Sequence, residues 1–287
     1  MRLVSFRQQG AIRLGVLVAD GVIDLNLAQP QVSADLGAAL WQGVDVRAAA
    51  TAAVASGAAR IPLANIEYAA PVPRPGKIIC LGLNYFDHAK EGGREKPDYP
   101  WFFFRGATSL IAHGEAGILP RVSERFDYEA ELAVVIGKKA RHLTEANALG
   151  CVFGYSCFND MSVRDYQKKT PQWTIGKNFD GTGGFGPVLV TADELPAGAV
   201  GLKIQSRLNG QVMQSANTTD MIWGVAETIA LLTECMTLEP GDLIVMGTPA
   251  GVGQARTPPV WMKHGDTIEI EIERLGILSN PIRAEAA

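Results

Sequence analysis

The stretch DYEAELAVVIG, Asp127 to Gly137, decides the fold. Side chains alternate faces along a strand, so Glu129 and Glu131 share a face with Ala133 and Val135. Tyr128, Ala130, Leu132, Val134 and Ile136 take the other. Both faces are apolar beyond the first residues, which reads as a strand covered on both sides. Two carboxylates at its start then repel one another in a poorly solvated place, and a buried carboxylate neutralises or finds a partner. The chain carries its own control near the C-terminus. DTIEIEIERL puts Glu269, Glu271 and Glu273 on one face and Ile268, Ile270 and Ile272 on the other, the half-buried pattern of a strand with a solvated side.

With 287 residues the chain can bury one sizeable core, or one core and a small companion. Its 47% hydrophobic and 20% charged residues are those of a globular protein, and the formal charge of −4 argues against a nucleic-acid groove. No basic run with interleaved aromatics is present. MRLVSFRQQG lacks the apolar core of a signal peptide, and no run is long enough to span a bilayer. The four cysteines, Cys80, Cys151, Cys157 and Cys235, form no CxxC pair and no zinc spacing. Buried reduced thiols in a cytoplasmic compartment are the expectation.

Residues 1–70 read as a small N-terminal α/β domain. Short strands RLVSF, IRLGVLV and GVIDL come first, with a hairpin signal at Asp20–Gly21. An alanine-rich helical stretch follows from Ser33 to Ser56. APVPRPGK, with Pro71, Pro73 and Pro75, is a stiff connector and the expected boundary. Residues 71–287 are dominated by strands: KIICLG, WFFFR, YEAELAVVIG, CVFGYSCFND, GPVLVT, LKIQSRL, QVMQS, DLIVMGT, TIEIEIE and GILSNPI. Asn209–Gly210 signals a type I′ hairpin. Only DMIWGVAETIALLTEC and a shorter segment after Asp160 read as helices. The fold class is therefore α+β and β-rich.

GTGGFG, Gly181 to Gly186, fits the dinucleotide pattern GxGxxG. That mechanism needs a helix opening directly after the glycines. Pro187 and VLV follow instead, so the run leads into a strand and a nucleotide role is set aside. Glu129-x-Glu131 needs a third oxygen ligand to hold a divalent cation, and Asp160, at the end of CVFGYSCFND, is the candidate. Three carboxylates without clustered Cys or His favour Mg²⁺, Mn²⁺ or Ca²⁺ over zinc. The plainer alternative is salt bridges to Arg164 or Lys177. In GLNYFDHAKEGG, His88 and Glu91 lie three residues apart, on one face if helical. A histidine held by a carboxylate is a good general base near neutral pH. The flanking Gly82, Gly92 and Gly93 let residues 84–96 act as a closing segment.

The ordered set GLNYFDHAKE, FFFR, DYEAELAVVIGK, FNDMSVRDYQ, GKNFDGTGGFGP, LNGQVMQ and GDLIVMGTPAGVG resembles the fumarylacetoacetate hydrolase family across residues 71–287. The first seventy residues resemble the small N-terminal domain that many bacterial members carry. The resemblance implies a mixed β-roll fold and a homodimer. It implies Glu129, Glu131 and Asp160 as ligands for Mg²⁺ or Mn²⁺, and His88 with Glu91 as the dyad that activates water. It places Lys177 near the metal, and Gln167 and Thr248 at the 2-oxo acid end of the substrate. Some members carry arginine where Leu83 stands; Arg105 and Arg164 are the candidates to replace it. The implied activity is C–C hydrolysis of a 2,4-dioxo acid of the acylpyruvate or fumarylpyruvate type. Oxaloacetate decarboxylation and hydration of a 2-oxo-enoic acid fit the same site. A non-catalytic, metal-stabilised binding protein is the alternative of another class.

Overall fold

The apolar runs become strands because β-branched residues pack well on a pleated, covered surface. The computed structural model describes every residue except Asp20, Arg94 and Ala287. A twelve-stranded mixed sheet organises the described residues. Its main strands are β1 (Arg2–Gln8), β2 (Ala11–Val18), β3 (Gly21–Asp24), β4 (Arg60–Ile61) and β5 (Ile78–Gly82). They continue with β6 (Trp101–Arg105), β7 (Ala130–Ile136), β8 (Val152–Asp160), β9 (Gly183–Thr191) and β10 (Leu243–Val245). The order across the sheet is β4-β3-β2-β1-β9-β8-β7-β10-β5-β6. Residues 1–70 thus extend the same sheet, with Arg2 opposite Val190 and Leu3 opposite Leu189. The chain reverses between β2 and β3, where Val18 faces Gly21; Asp20 itself lies outside the described residues.

β7 is buried along its whole length and lies between antiparallel β8 and β10. Each face has its own cover. Leu132, Val134 and Ile136 pack with Ile204, Ile268, Ile270 and Ile272 of a second, five-stranded sheet and with the helix Val225–Cys235. Ala133 and Val135 face the opposite cluster, which holds Leu36, Val46, Ala50 and Ala53 of two N-terminal helices, Leu36–Trp41 and Val46–Ala55. At about 1.5–3 kcal/mol per fully buried large apolar side chain, this double cover outweighs the absence of any solvated face.

In the second sheet, Asn209 and Gly210 take φ of 52° and 81°, as the hairpin signal requires. Glu269 and Glu271 are half-buried and both pair with Arg207 on the neighbouring strand. The glycine run leads into β9, as its Pro-Val-Leu-Val continuation demands. Glu129 falls just outside β7. Its N–H is taken by the Asn159 side chain at 3.1 Å, which interrupts the ladder there.

Asn84, fully buried after β5, ties three segments together. Its Nδ2 donates to the carbonyls of Trp223 at 3.1 Å and Met246 at 2.7 Å, and its Oδ1 accepts from Trp223 N at 2.8 Å. Replacing Asn84 by Ala leaves buried backbone groups unpaired and should cost about 2–3 kcal/mol in chemical denaturation. A loss within experimental error would show that these bonds do not hold the segments.

Candidate active site and metal centre

The carboxylates of the opening stretch stand at one end of the large sheet. Oxygens of Glu129, Glu131 and Asp160 lie within 4.8 Å of one another, and all three residues are buried. Lys177 sits among them on the short helix Thr174–Lys177, donating to Glu129 at 2.5 Å and Asp160 at 2.6 Å. Arg164 begins the helix Arg164–Gln167 and spans Glu129 at 2.7 Å and Asp127 at 2.8 Å. Arg105 donates to Asp160 from behind, and also to Thr182 at 2.8 Å. The candidate cation cluster and the salt bridges therefore share Glu129 and Asp160.

Glu131 is the exception. Its one hydrogen bond comes from Gly247 N at 2.6 Å, and among the described residues no cation pairs with it. Gly247 reaches it at φ +84°, where an added Cβ would lie 2.7 Å from the Asn84 Cβ, so only glycine fits. Burial, then Asp160 and Glu129, push the Glu131 carboxyl well above the usual range. Burial also works against ionised Glu129, but Arg164 and Lys177 overcome it and hold that carboxyl at about 2. Lys177 is raised: burial alone would lower it, and Asp160 and Glu129 prevail. A cluster of hard oxygen donors with one carboxylate lacking a counter-charge suits a divalent cation of the Mg²⁺ or Mn²⁺ kind.

A cavity of about 300 Å³ opens above this cluster. Glu129, Glu131, Arg164, Gln167, Lys177 and Thr248 line its polar side. The dyad stands at its mouth on the helix Phe86–Glu91. His88 Nδ1 lies 3.4 Å from Glu91 Oε1, and Glu91 Oε2 accepts from Gly251 N at 2.7 Å. The His88 ring is close enough to Glu129 to favour its charged form. The proposed closing segment is rooted, since Asn84 and Tyr85 are buried and Glu91 is tied to Gly251; Arg94 lies outside the described residues.

Arg105 does not line the cavity. Its side chain is fully buried and occupied with Asp160, Ser109 and Thr182, which places it behind the acidic cluster. Gln167 Oε1 accepts from Arg164 at 3.0 Å, and Thr248 Oγ1 accepts from Gln214 at 2.8 Å. Several residues escaped the sequence reading. Asp127, inside the opening stretch, holds Arg164 and accepts from Gly253 N at 2.7 Å and Gln254 N at 3.0 Å. Leu83, Phe103 and Trp173 form the apolar wall. Trp173 lies so close over Gly82 that a Cβ there would be 1.9 Å from its ring. Asp127 could have been flagged as a third acid beside a buried strand; no local signal marks Trp173.

The fumarylacetoacetate hydrolase C-terminal family matches residues 77–283. This chain belongs to the fumarylacetoacetate hydrolase family. A mitochondrial oxaloacetate tautomerase of Homo sapiens is 40% identical over 288 residues, 98% of this chain and 91% of that protein. Among solved structures, fumarylacetoacetate hydrolase from psychrophilic Exiguobacterium antarcticum is 36% identical with TM-score 0.86, covering 99% of this chain and 100% of that one. Maleylpyruvate hydrolase from Sphingobium sp. SYK-6, solved with manganese(II) and pyruvate, is 30% identical with TM-score 0.83 and full coverage of both chains. Members of the family are enzymes, hydrolases and isomerases among them.

Cation binding should stabilise the fold, because only the folded chain assembles the three carboxylates. At a hundredfold excess over Kd the linkage is about 2.7 kcal/mol, or roughly 5 °C in Tm for a chain of this size. A carboxyl raised by folding favours the fold at low pH and loses that contribution as pH climbs through its folded value. Cation affinity should accordingly rise with pH above the ordinary carboxylate range. Differential scanning fluorimetry with Mg²⁺ or Mn²⁺ should show the Tm shift in the native protein and none in Glu131→Gln. An equal shift in both would rule out Glu131 as a ligand.

Proposed function

We propose that this protein hydrolyses the C–C bond of a 2,4-dioxo acid, of the acylpyruvate or fumarylpyruvate class, to pyruvate and a second carboxylate. The observation that carries this reading is the His88–Glu91 dyad facing the Glu129, Glu131, Asp160 cluster across one cavity. A purely structural cation site has no use for a base at its mouth, which disfavours a non-catalytic binding role.

Glu129, Glu131 and Asp160 would hold Mg²⁺ or Mn²⁺. Bound there, the cation supplies Lewis acidity toward the carboxylate and 2-oxo oxygens of the substrate. His88 takes a proton from water, and Glu91 stabilises the resulting imidazolium and fixes the ring. Gly251 N keeps the second oxygen of Glu91 from turning away. The water oxygen adds to the C4 carbonyl. The C3–C4 bond then breaks, its electron pair passing to C3 as the pyruvate enolate. His88 returns the proton to C3. The Lys177 ammonium, kept charged by Asp160 and Glu129, stabilises negative charge as it develops. Arg164, Gln167 and Thr248 orient the 2-oxo acid end.

A second reading is favoured by the 40% identity to the human oxaloacetate tautomerase along nearly the whole chain. In it His88 moves a proton between C3 and the enol oxygen of a 2-oxo acid, with no attacking water. The catalytic segment is assigned to a homodimer, with β6 at the sheet edge exposing Trp101 and Phe104. The four cysteines are free thiols, in keeping with a reducing, cytoplasmic compartment.

A Mg²⁺-supplemented panel of acetylpyruvate, fumarylpyruvate and oxaloacetate enol–keto conversion separates the two. Pyruvate and the second acid released in equal amounts from either dioxo acid supports hydrolysis; enol–keto exchange without cleavage of any of them overturns it. His88→Ala should lower the rate by about 10²–10⁴-fold, the range for a lost general base. The cation-induced Tm shift should remain. Loss of that shift together with the rate would make His88 a ligand or a structural residue.

A further inference from the structure

The cavity and the charged groups packed behind its lining, Asp127, Asp160 and Arg105, carry a charge balance that the reaction alone does not explain. Four buried carboxylates, Asp127, Glu129, Glu131 and Asp160, face three buried cations, Arg105, Arg164 and Lys177. Glu91 at the mouth adds one more negative charge. A divalent cation brings this set to neutrality, and the 2-oxo acid carboxylate then makes it negative by one. A second carboxylate in the same cavity needs a further cation to be tolerated.

One such cation lines the cavity. Arg164, Gln167 and Lys168 all project into it from the helix Arg164–Gln167 and the residue that caps it. Positions three and four apart share a helix face, and exposure rises along this one. Arg164 is buried, Gln167 half-buried and Lys168 exposed at the rim. Arg164 is engaged with Asp127 and Glu129. The neighbouring Lys169 lies over the Tyr166 ring, 3.2 Å from its centroid, and does not line the cavity. Lys168 has no ion pair among the described residues. Four residues of helix separate Arg164 from Lys168, about 6 Å along the axis. That is about the distance between the two carboxylates of an extended 2-oxo diacid with five or six carbons. On the other side, Leu83, Phe103 and Trp173 offer no counter-charge.

We infer that Lys168 is a specificity-determining residue, receiving a second carboxylate at the far end of the substrate. The inference rests on the reading that a 2-oxo acid binds over the acidic cluster, and it deepens that reading: diacid substrates are accepted through Lys168. Acids with a neutral tail meet only the apolar wall.

Binding of two inert probes tests this independently of turnover. 2-Oxoglutarate and 2-oxopentanoate share the 2-oxo acid end and differ in whether the tail ends in carboxylate or methyl. Titration calorimetry on the full-length protein with saturating Mg²⁺ gives the affinity ratio. The native protein should prefer 2-oxoglutarate; Lys168→Met should reduce that preference by about two- to fivefold, the scale of an exposed ion pair; Lys168→Arg should retain it. A native ratio near one, a ratio unchanged in Lys168→Met, or an equal fall in affinity for both probes overturns the assignment. Absence of fumarylpyruvate cleavage by the native protein, with the ratio behaving as expected, strikes the hydrolase reading and leaves Lys168 in its role.

Discussion

The structure depends on holding several carboxylates almost wholly out of solvent at the floor of one cavity. Asp127, Glu129, Glu131 and Asp160 are each less than about one-twentieth exposed, at the end of a sheet covered on both sides. Desolvation alone would raise the Glu129 and Glu131 carboxyls toward their neutral forms. Lys177 and Arg164 reverse this for Glu129, while Glu131 is left with a single backbone donor. The site is thus balanced asymmetrically. Enough cationic charge is built in to fold around the acids, and too little to satisfy all of them without an ion.

That asymmetry governs the surrounding geometry. Asp127 fixes Arg164 and also the Gly253–Gln254 backbone, so the floor of the cavity and one of its loops share an anchor. Gly247 completes Glu131 because β10 ends where the chain can turn with positive φ. Glu91 links His88 to Gly251, which joins the proposed base to that same loop region. Acid cluster, His88 and loops are therefore tied into one hydrogen-bonded assembly.

Much of this was legible in residues 127–137. Period-two alternation located β7 and its two covered faces, and the acids in it pointed to a cation. The His88–Glu91 pair followed from helical spacing, and the structure puts both residues in one cavity with Glu129. Long-range contacts were less legible. The placing of Arg105 behind Asp160 depends on partners fifty-five positions apart in the sequence folding back together, which local pattern does not encode. Trp173 acquires its place only through Gly82, Trp101 and Phe103. The interruption at Glu129 comes from a side chain of a neighbouring strand replacing a backbone partner, an event invisible to alternation.

The pairing of β1 with β9 carries a consequence for how the chain tolerates being cut. β9 is an interior strand, with β8 on one side and β1 on the other. Cleaving the chain at the Pro71–Pro75 connector and removing the leading portion would strip that neighbour away. Unpaired amides and carbonyls at Leu189 and Val190 would then face water, beside a hydrophobic cluster, Ala133 and Val135 within it, that had lost Leu36, Val46, Ala50 and Ala53. Such an edge recruits strands from other molecules. Loss of the leading portion would therefore leave the large sheet with an edge open to self-association.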